Sequence, residues 1–221
     1  LRPLMLSTES ALSYAVTEGR VLAMAKAAKS IGMEGIIIGD GWFGSRSSVK
    51  TSIGDWFPNT MKFPSGLFEL SQDIHRLGLL FGLWIEPEGI SGKSMLYKEH
   101  PDWIIGHSDA ANAKGSHENL LDLTRSDVRA WLIDTISSLI DRCRVDYLKW
   151  DISRMSSDLF THQGIEDYGM FMHKYIQGLY KVIGTIGRRF PSLYIETSAA
   201  GGGRFDLGMM CYSASISISD N

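Results

Sequence analysis

Apolar residues along the chain gather into six short runs, set apart by stretches of helical spacing or by polar loops. Arg2 to Thr8 holds the first, Leu4-Met5-Leu6, and reads as a strand. From Thr17 to Ile31, alanines, Val21, Leu22 and Met24 recur at helical spacing, with Thr17 placed to cap the helix and Gly32 to end it. Glu34 to Ile38 is an almost wholly apolar second strand that leaves through Gly39-Asp40-Gly41-Trp42-Phe43-Gly44. A long loop over Ser45 to Pro64 leads to a helix over Gly66 to Leu77 and a third strand over Leu79 to Ile85, which exits through Glu86-Pro87-Glu88. A second long loop, Gly89 to Gly115, precedes a helix capped by Ser126 and running to about Arg142. The fourth strand, Val145 to Trp150, is followed by a long helix over Tyr168 to Phe190. The fifth strand, Ser192 to Thr197, opens into Ser198-Ala199-Ala200-Gly201-Gly202-Gly203-Arg204, and Met209 to Ser219 holds a sixth.

Near-continuous apolar strands alternating with helices predict an α/β fold with a parallel sheet covered by helices. A doubly wound open sheet would carry a Gly-x-Gly-x-x-Gly turn after its first strand, and none is present. The (β/α)8 TIM barrel fits better, but only about six βα units are present. Two further units of ~30 residues each are expected beyond the sequence. Residues 1–221 are therefore expected to be an incomplete barrel, with an open sheet edge that leaves the isolated piece poorly soluble or inactive.

Composition narrows the class of protein. Charged residues make up 21% and the net charge is −3, so nothing favours a nucleic acid or an anionic membrane as partner. No apolar run is long enough to span a bilayer. The two cysteines, Cys143 and Cys211, have no metal or redox spacing, and the six histidines form no ligand pair, so no cofactor or metal is expected. No signal peptide is visible, which leaves a cytoplasmic or a secreted location open.

Several strands end on polar or charged residues: Asp40, Glu86 and Glu88, Lys149 and Asp151, Glu196, and Asp220. In a barrel those ends share one face, where sites are built. Lys149 and Asp151 are two apart on a strand, so they share a side, and the ammonium would favour an ionised carboxylate. An ionised, positioned Asp151 is suited to act as a nucleophile or as a metal ligand. Each ending also has a plainer reading. Asp40 alone is a solvated strand-end acid, and Trp84 alone is packing. At least one of Glu86 and Glu88 orders the loop around Pro87, and Glu196 is a buried partner for Arg154 or Arg204. Trp42, Trp56 and Trp103 simply close loops.

Taken in order, these residues resemble glycoside hydrolase family 36, the α-galactosidase family of clan D, over nearly the whole chain. The resemblance rests on Gly39-Asp40-Gly41-Trp42-Phe43-Gly44, Gly82-Leu83-Trp84-Ile85-Glu86-Pro87-Glu88, His100-Pro101-Asp102-Trp103, Lys149-Trp150-Asp151 with Arg154, Gly201-Gly202-Gly203-Arg204-Phe205-Asp206, and Ser219-Asp220. It implies a retaining glycosidase that removes terminal α-linked galactose, with Asp151 as nucleophile and Asp220 as acid/base. Asp40, Trp84, Lys149, Ser198, Gly201 and Arg204 would bind the sugar. It also implies an N-terminal β-sandwich, the last barrel units and a C-terminal domain outside these residues, and leaves open a homo-oligomer of the full-length protein. The chemistry agrees: retaining hydrolysis needs one ionised and one protonated carboxyl ~5–5.5 Å apart, and glycines let backbone approach a ligand closely.

The chain departs from the family pattern at several places. Gly39 replaces the first of two aspartates, Glu9 a first-strand tryptophan, Ser116 an arginine, Ser153 an asparagine, Ser198 a cysteine, and Ser217-Ile218 a Trp-Thr pair. The smaller residues make room for a bulkier 2-substituent, so α-N-acetylgalactosaminide oligosaccharides are the second substrate class. The other readings are a non-hydrolytic carbohydrate-binding relative and a metal enzyme using Asp40, Glu86 and Asp151.

Overall fold

A computed structural model describes residues 2–48, 51–105, 118–152 and 166–218. Its strands are β1 (Met5–Ser7), β2 (Gly35–Ile38), β3 (Leu80–Ile85), β4 (Gly89–Ser91), β5 (Glu118–Leu120), β6 (Tyr147–Trp150), β7 (Tyr194–Thr197) and β8 (Ser215–Ile216). The helices are α1 (Glu9–Leu12), α2 (Glu18–Ser30), α3 (Gly66–Arg76), α4 (Met95–Glu99), α5 (Ser126–Cys143), α6 (Tyr168–Arg189) and α7 (Leu207–Met210). Six strands form one all-parallel sheet in the order β1-β2-β3-β6-β7-β8. The order never reverses. Right-handed crossovers that always step the same way put every helix on one side of the sheet, so the sheet is singly wound, as in part of a barrel.

The sheet is strongly curled. Arg2, just ahead of β1, reaches Glu196 on β7 with a 2.7 Å ion pair. In a flat sheet those strands would stand about 19 Å apart, four spacings of about 4.8 Å, far beyond an arginine side chain. Tyr147 of β6 and Ser217 also donate to the Glu196 carboxylate. Glu196 therefore partners Arg2, not Arg204 as the sequence suggested.

The core lies between sheet and helices. Ile36, Ile38, Phe81, Leu83 and Leu148 alternate with the inward residues and are fully buried. Against them pack Val21, Ala25 and Ala28 of α2, Leu67, Leu70 and Ile74 of α3, Leu132 and Ile136 of α5, and Leu179, Val182 and Ile186 of α6. The i, i+3/i+4, i+7 spacing of these residues is the reason those segments are amphipathic helices.

Three helix-to-strand joints share one device. After α2, Gly32 takes φ 84° while Met33 N–H bonds the Ala28 carbonyl. After α3, Gly78 takes φ 72° while Leu79 bonds Ile74. After α5, Val145 bonds Ile140 in the same way, but the left-handed residue is Arg144, at φ 53°. This double closure satisfies the last helical carbonyls and turns the chain into the next strand.

The structure adds elements that the sequence did not reveal. β4, inside the second long loop, pairs antiparallel with β5 just beyond it, and a bridge between Ile104 and Leu121 extends the pairing. The last stretch holds the short α7 before the two-residue β8. Thr17 sits at the N-cap of α2 without a side-chain bond, and Ser126 is the first residue of α5 rather than its cap. Among the described residues no helix is long and apolar enough to cross a membrane.

Candidate active site

Asp151 follows β6, at the C-terminal edge of the sheet. Its Oδ2 accepts from Trp84 Nε1 at 3.2 Å and its Oδ1 from the backbone N–H of Ile152 at 2.8 Å. The carboxylate is thus aimed by the indole of the neighbouring strand and by its own turn. Trp84 and Lys149 stand in register on β3 and β6 and face the inside of the curl. Lys149 shares that face with Asp151, and among the described residues Trp84 and Ile152 donate to the carboxylate. Residues two apart on a strand are separated by about 6.6 Å, which leaves room for a ligand between them.

Trp84 is itself fixed. Its carbonyl accepts from Trp42 Nε1 at 2.8 Å, and Phe43 stacks on its ring with centroids 6.3 Å apart. Trp42, Phe43 and Trp56 form a buried aromatic cluster behind it. These tryptophans close the loop, as their plainer reading held, and they also set the angle of the one that touches Asp151.

Asp40 lies two residues past the end of β2. Arg46 grips both its oxygens, each at 2.8 Å, and the arginine side chain is 2% exposed. The same loop is tied by Lys62, whose ammonium donates to the carbonyls of Tyr14, Gly41 and Arg46. Burial lowers the pKa of Lys62, with Asp40 pulling the other way. Asp40 is therefore an ion-paired acceptor with lone pairs to spare.

The glycine turn completes the edge of the sheet. Ser198 is buried and its N–H bonds the Trp150 carbonyl; Ala200 N–H bonds that of Ile152. Gly201 sits at φ 76°, a left-handed geometry that suits glycine. A Cβ at Gly202 would lie 2.9 Å from the Ile218 carbonyl oxygen, so that glycine lets the turn and the chain after β8 touch. Asp220 follows Ile218 by two positions and lies outside the described residues, as do Ser116, Ser153, Arg154 and Ser219.

Arg204 has a partner that the sequence did not assign to it. Its guanidinium meets Glu88 at 2.5 and 2.8 Å. Glu88 is fully buried and also accepts from Tyr175 OH of α6 at 2.7 Å and from Trp150 Nε1 at 3.2 Å. Burial opposes the charge on Glu88, but Arg204 and then the bonds from Arg204, Tyr175 and Trp150 hold its pKa below the ordinary 4.5. Burial, and then the charge on Glu88, push Tyr175 well above 10. One carboxylate thus joins the exit of β3, the strand end that carries Asp151, the glycine turn and α6. The visible signals were the glutamates flanking Pro87 and a tyrosine on the buried stripe of α6. Among the described residues no group of three His, Cys, Asp or Glu side chains is placed to hold a metal.

A profile of the Melibiase family matches residues 1–221. Alpha-galactosidase 2 of Pediococcus pentosaceus is 39% identical over 219 residues, which is 99% of this chain but 30% of that protein. The crystal structure of a variant of the GH36 α-galactosidase AgaA from Geobacillus stearothermophilus, in complex with 1-deoxygalactonojirimycin, superposes with a TM-score of 0.91 at 35% identity, over 100% of this chain and 31% of that one. Another variant, in complex with raffinose, superposes at 0.90 and 35% identity over the same shares. The chain thus spans about a third of the length of the relatives it matches.

Proposed function

This chain belongs to the Melibiase family, within glycoside hydrolase family 36, and on that premise we propose that the protein containing it removes terminal α-linked galactose from oligosaccharides with retention of configuration. The observation that carries this reading is the placement of Asp151: a carboxylate at the C-terminal edge of a curled parallel sheet, aimed by Trp84 and Ile152, with Lys149 two residues before it on the same strand. Gly202 meets Ile218 at the glycine turn, and Asp220 follows Ile218 by two positions in sequence. The AgaA complex with raffinose supports an α-galactoside oligosaccharide as substrate.

In the first step a carboxylate oxygen of Asp151 bonds to the anomeric carbon, the glycosidic C–O bond breaks, and the leaving oxygen takes a proton from Asp220. In the second, Asp220 removes a proton from water as its oxygen attacks the same carbon, and the bond to Asp151 breaks. Two further βα units, supplied by the rest of the protein, complete an eight-stranded barrel around the sugar. Ser198, small and buried at this edge, favours α-N-acetylgalactosaminides as a second substrate class.

The test uses the full-length protein with nitrophenyl α-galactoside and nitrophenyl α-N-acetylgalactosaminide. Hydrolysis of the first, with the α-anomer as the product first seen by NMR, is expected. Asp151→Ala should lower turnover by about 10⁴-fold or more, and azide should restore part of it as a glycosyl azide. Cleavage of neither substrate, or an Asp151→Ala variant of normal rate, would overturn the proposal.

A further inference from the structure

The end of β2 has no side chain at residue 39, and the structure explains why. A Cβ built on Gly39 would lie 2.8 Å from Glu9 Cβ, 3.0 Å from Glu9 Cα and 3.1 Å from Glu9 N. Two of those atoms are backbone and cannot swing aside. The turn from β1 into α1 is also fastened there: Gly39 N–H donates to Thr8 Oγ1 at 3.0 Å, Thr8 N–H to the Ile37 carbonyl at 3.0 Å, and Glu9 N–H to Ser7 Oγ at 3.2 Å. Two positions that depart from the family pattern, distant in sequence, are therefore in contact. Residue 9 fills the space that a side chain at residue 39 would need.

That space belongs to the candidate site. Ile37 pairs with Gly82, so Gly39, two residues on, falls on the same inward face as Gly82 and Trp84. The neighbouring acceptor, Asp40, already holds Arg46 with both oxygens. From β6, where Asp151 meets the anomeric carbon, to β2 is two strand spacings, about 10 Å. A hexose with its anomeric carbon at Asp151 and its ring laid across β3 toward β2 would bring its opposite end, the hydroxyls on C4 and C6, to the Glu9–Gly39 contact.

We propose that Glu9 is a specificity-determining residue whose carboxylate, carried at the start of α1 where Gly39 leaves the room, accepts a hydrogen bond from the C4 or C6 hydroxyl of the sugar. This rests on the galactoside reading above and adds which end of the sugar is read and by what. A carboxylate only accepts, so it discriminates by the presence of a hydroxyl.

The experiment is calorimetric binding of D-galactose, 4-deoxygalactose and 6-deoxygalactose to the full-length protein, as wild type and as Glu9→Ala and Glu9→Gln. Wild type should bind galactose about 10- to 100-fold more tightly than one of the deoxy sugars, the range of a charged hydrogen bond. Glu9→Ala should weaken galactose by that same factor, leave that deoxy sugar unchanged, and so erase the preference. Glu9→Gln, which keeps the shape and one acceptor, should fall between, and it carries the test if the alanine variant does not fold. A preference that survives both substitutions overturns the role of Glu9 and leaves the α-galactosidase reading to stand on Asp151→Ala. A wild type that neither binds these sugars nor cleaves an α-galactoside overturns both.

Discussion

Glu88 and Arg204, 116 residues apart in sequence, face each other through two hydrogen bonds of 2.5 and 2.8 Å. The Glu88 side chain is 0% exposed and that of Arg204 17%. Such a pair adds little net stability over an apolar substitute, but losing one partner strands the other charge. Glu88→Ala should therefore destabilise the fold by about 3–5 kcal/mol. The double variant Glu88→Leu with Arg204→Met should recover most of that loss. Urea unfolding of the full-length protein, following tryptophan fluorescence, checks both.

The same pair sets an acid limit. The folded state holds Glu88 below its ordinary value of 4.5, so on acidification the unfolded chain takes up this proton first. The contribution to stability is complete above 4.5 and is lost as pH falls below it, through the lower folded value. Unfolding midpoints measured from pH 7 to pH 3 should fall more steeply for wild type than for Glu88→Gln, and the gap between the two should narrow below 4.5.

Trp84→Phe keeps most of the ring and removes the N–H that reaches Asp151. A hydrogen bond to a charged group contributes about 1.5–3 kcal/mol. Turnover should fall about tenfold to a hundredfold, with the unfolding midpoint nearly unchanged, because the stacking on Phe43 survives. Steady-state kinetics on an α-galactoside, together with a melting curve, separate the two effects.

Arg144 occupies a left-handed position where the two equivalent joints have Gly32 and Gly78. A side chain there costs about 1–2 kcal/mol, partly offset by the greater freedom of an unfolded glycine. Arg144→Gly should stabilise the protein by about 0.5–1 kcal/mol, visible as a raised melting temperature with no change in activity.

Much of this architecture was legible from residues alone. The central strands of the parallel sheet stood out because they are buried apolar runs, such as Gly35 to Ile38. The pair of β4 and β5 did not, because three-residue strands such as Gly89–Ser91 are too short to establish a period. The charged strand ends were visible as chemistry, but their partners were not. Arg204 was offered Glu196, which lies in register with Lys149 on the inward face and binds Arg2 instead. Arg204 pairs with Glu88, which also takes the indole N–H of Trp150, the strand residue of opposite parity to Lys149. Pairing across the top of a sheet depends on loop paths, which no local pattern records. Nor could the sequence show that Gly39 and Glu9 meet, since each reads as an isolated departure.

The bond from Arg2 to Glu196 spans 194 residues. At about 5–20 residues per second, a ribosome takes roughly 10–40 s to deliver the glutamate after the arginine has been made. Through that interval the nascent first strand has an inner edge with nothing to close on. The curl is thus a late event in biosynthesis, and the early half of the chain is the part a chaperone would have to guard.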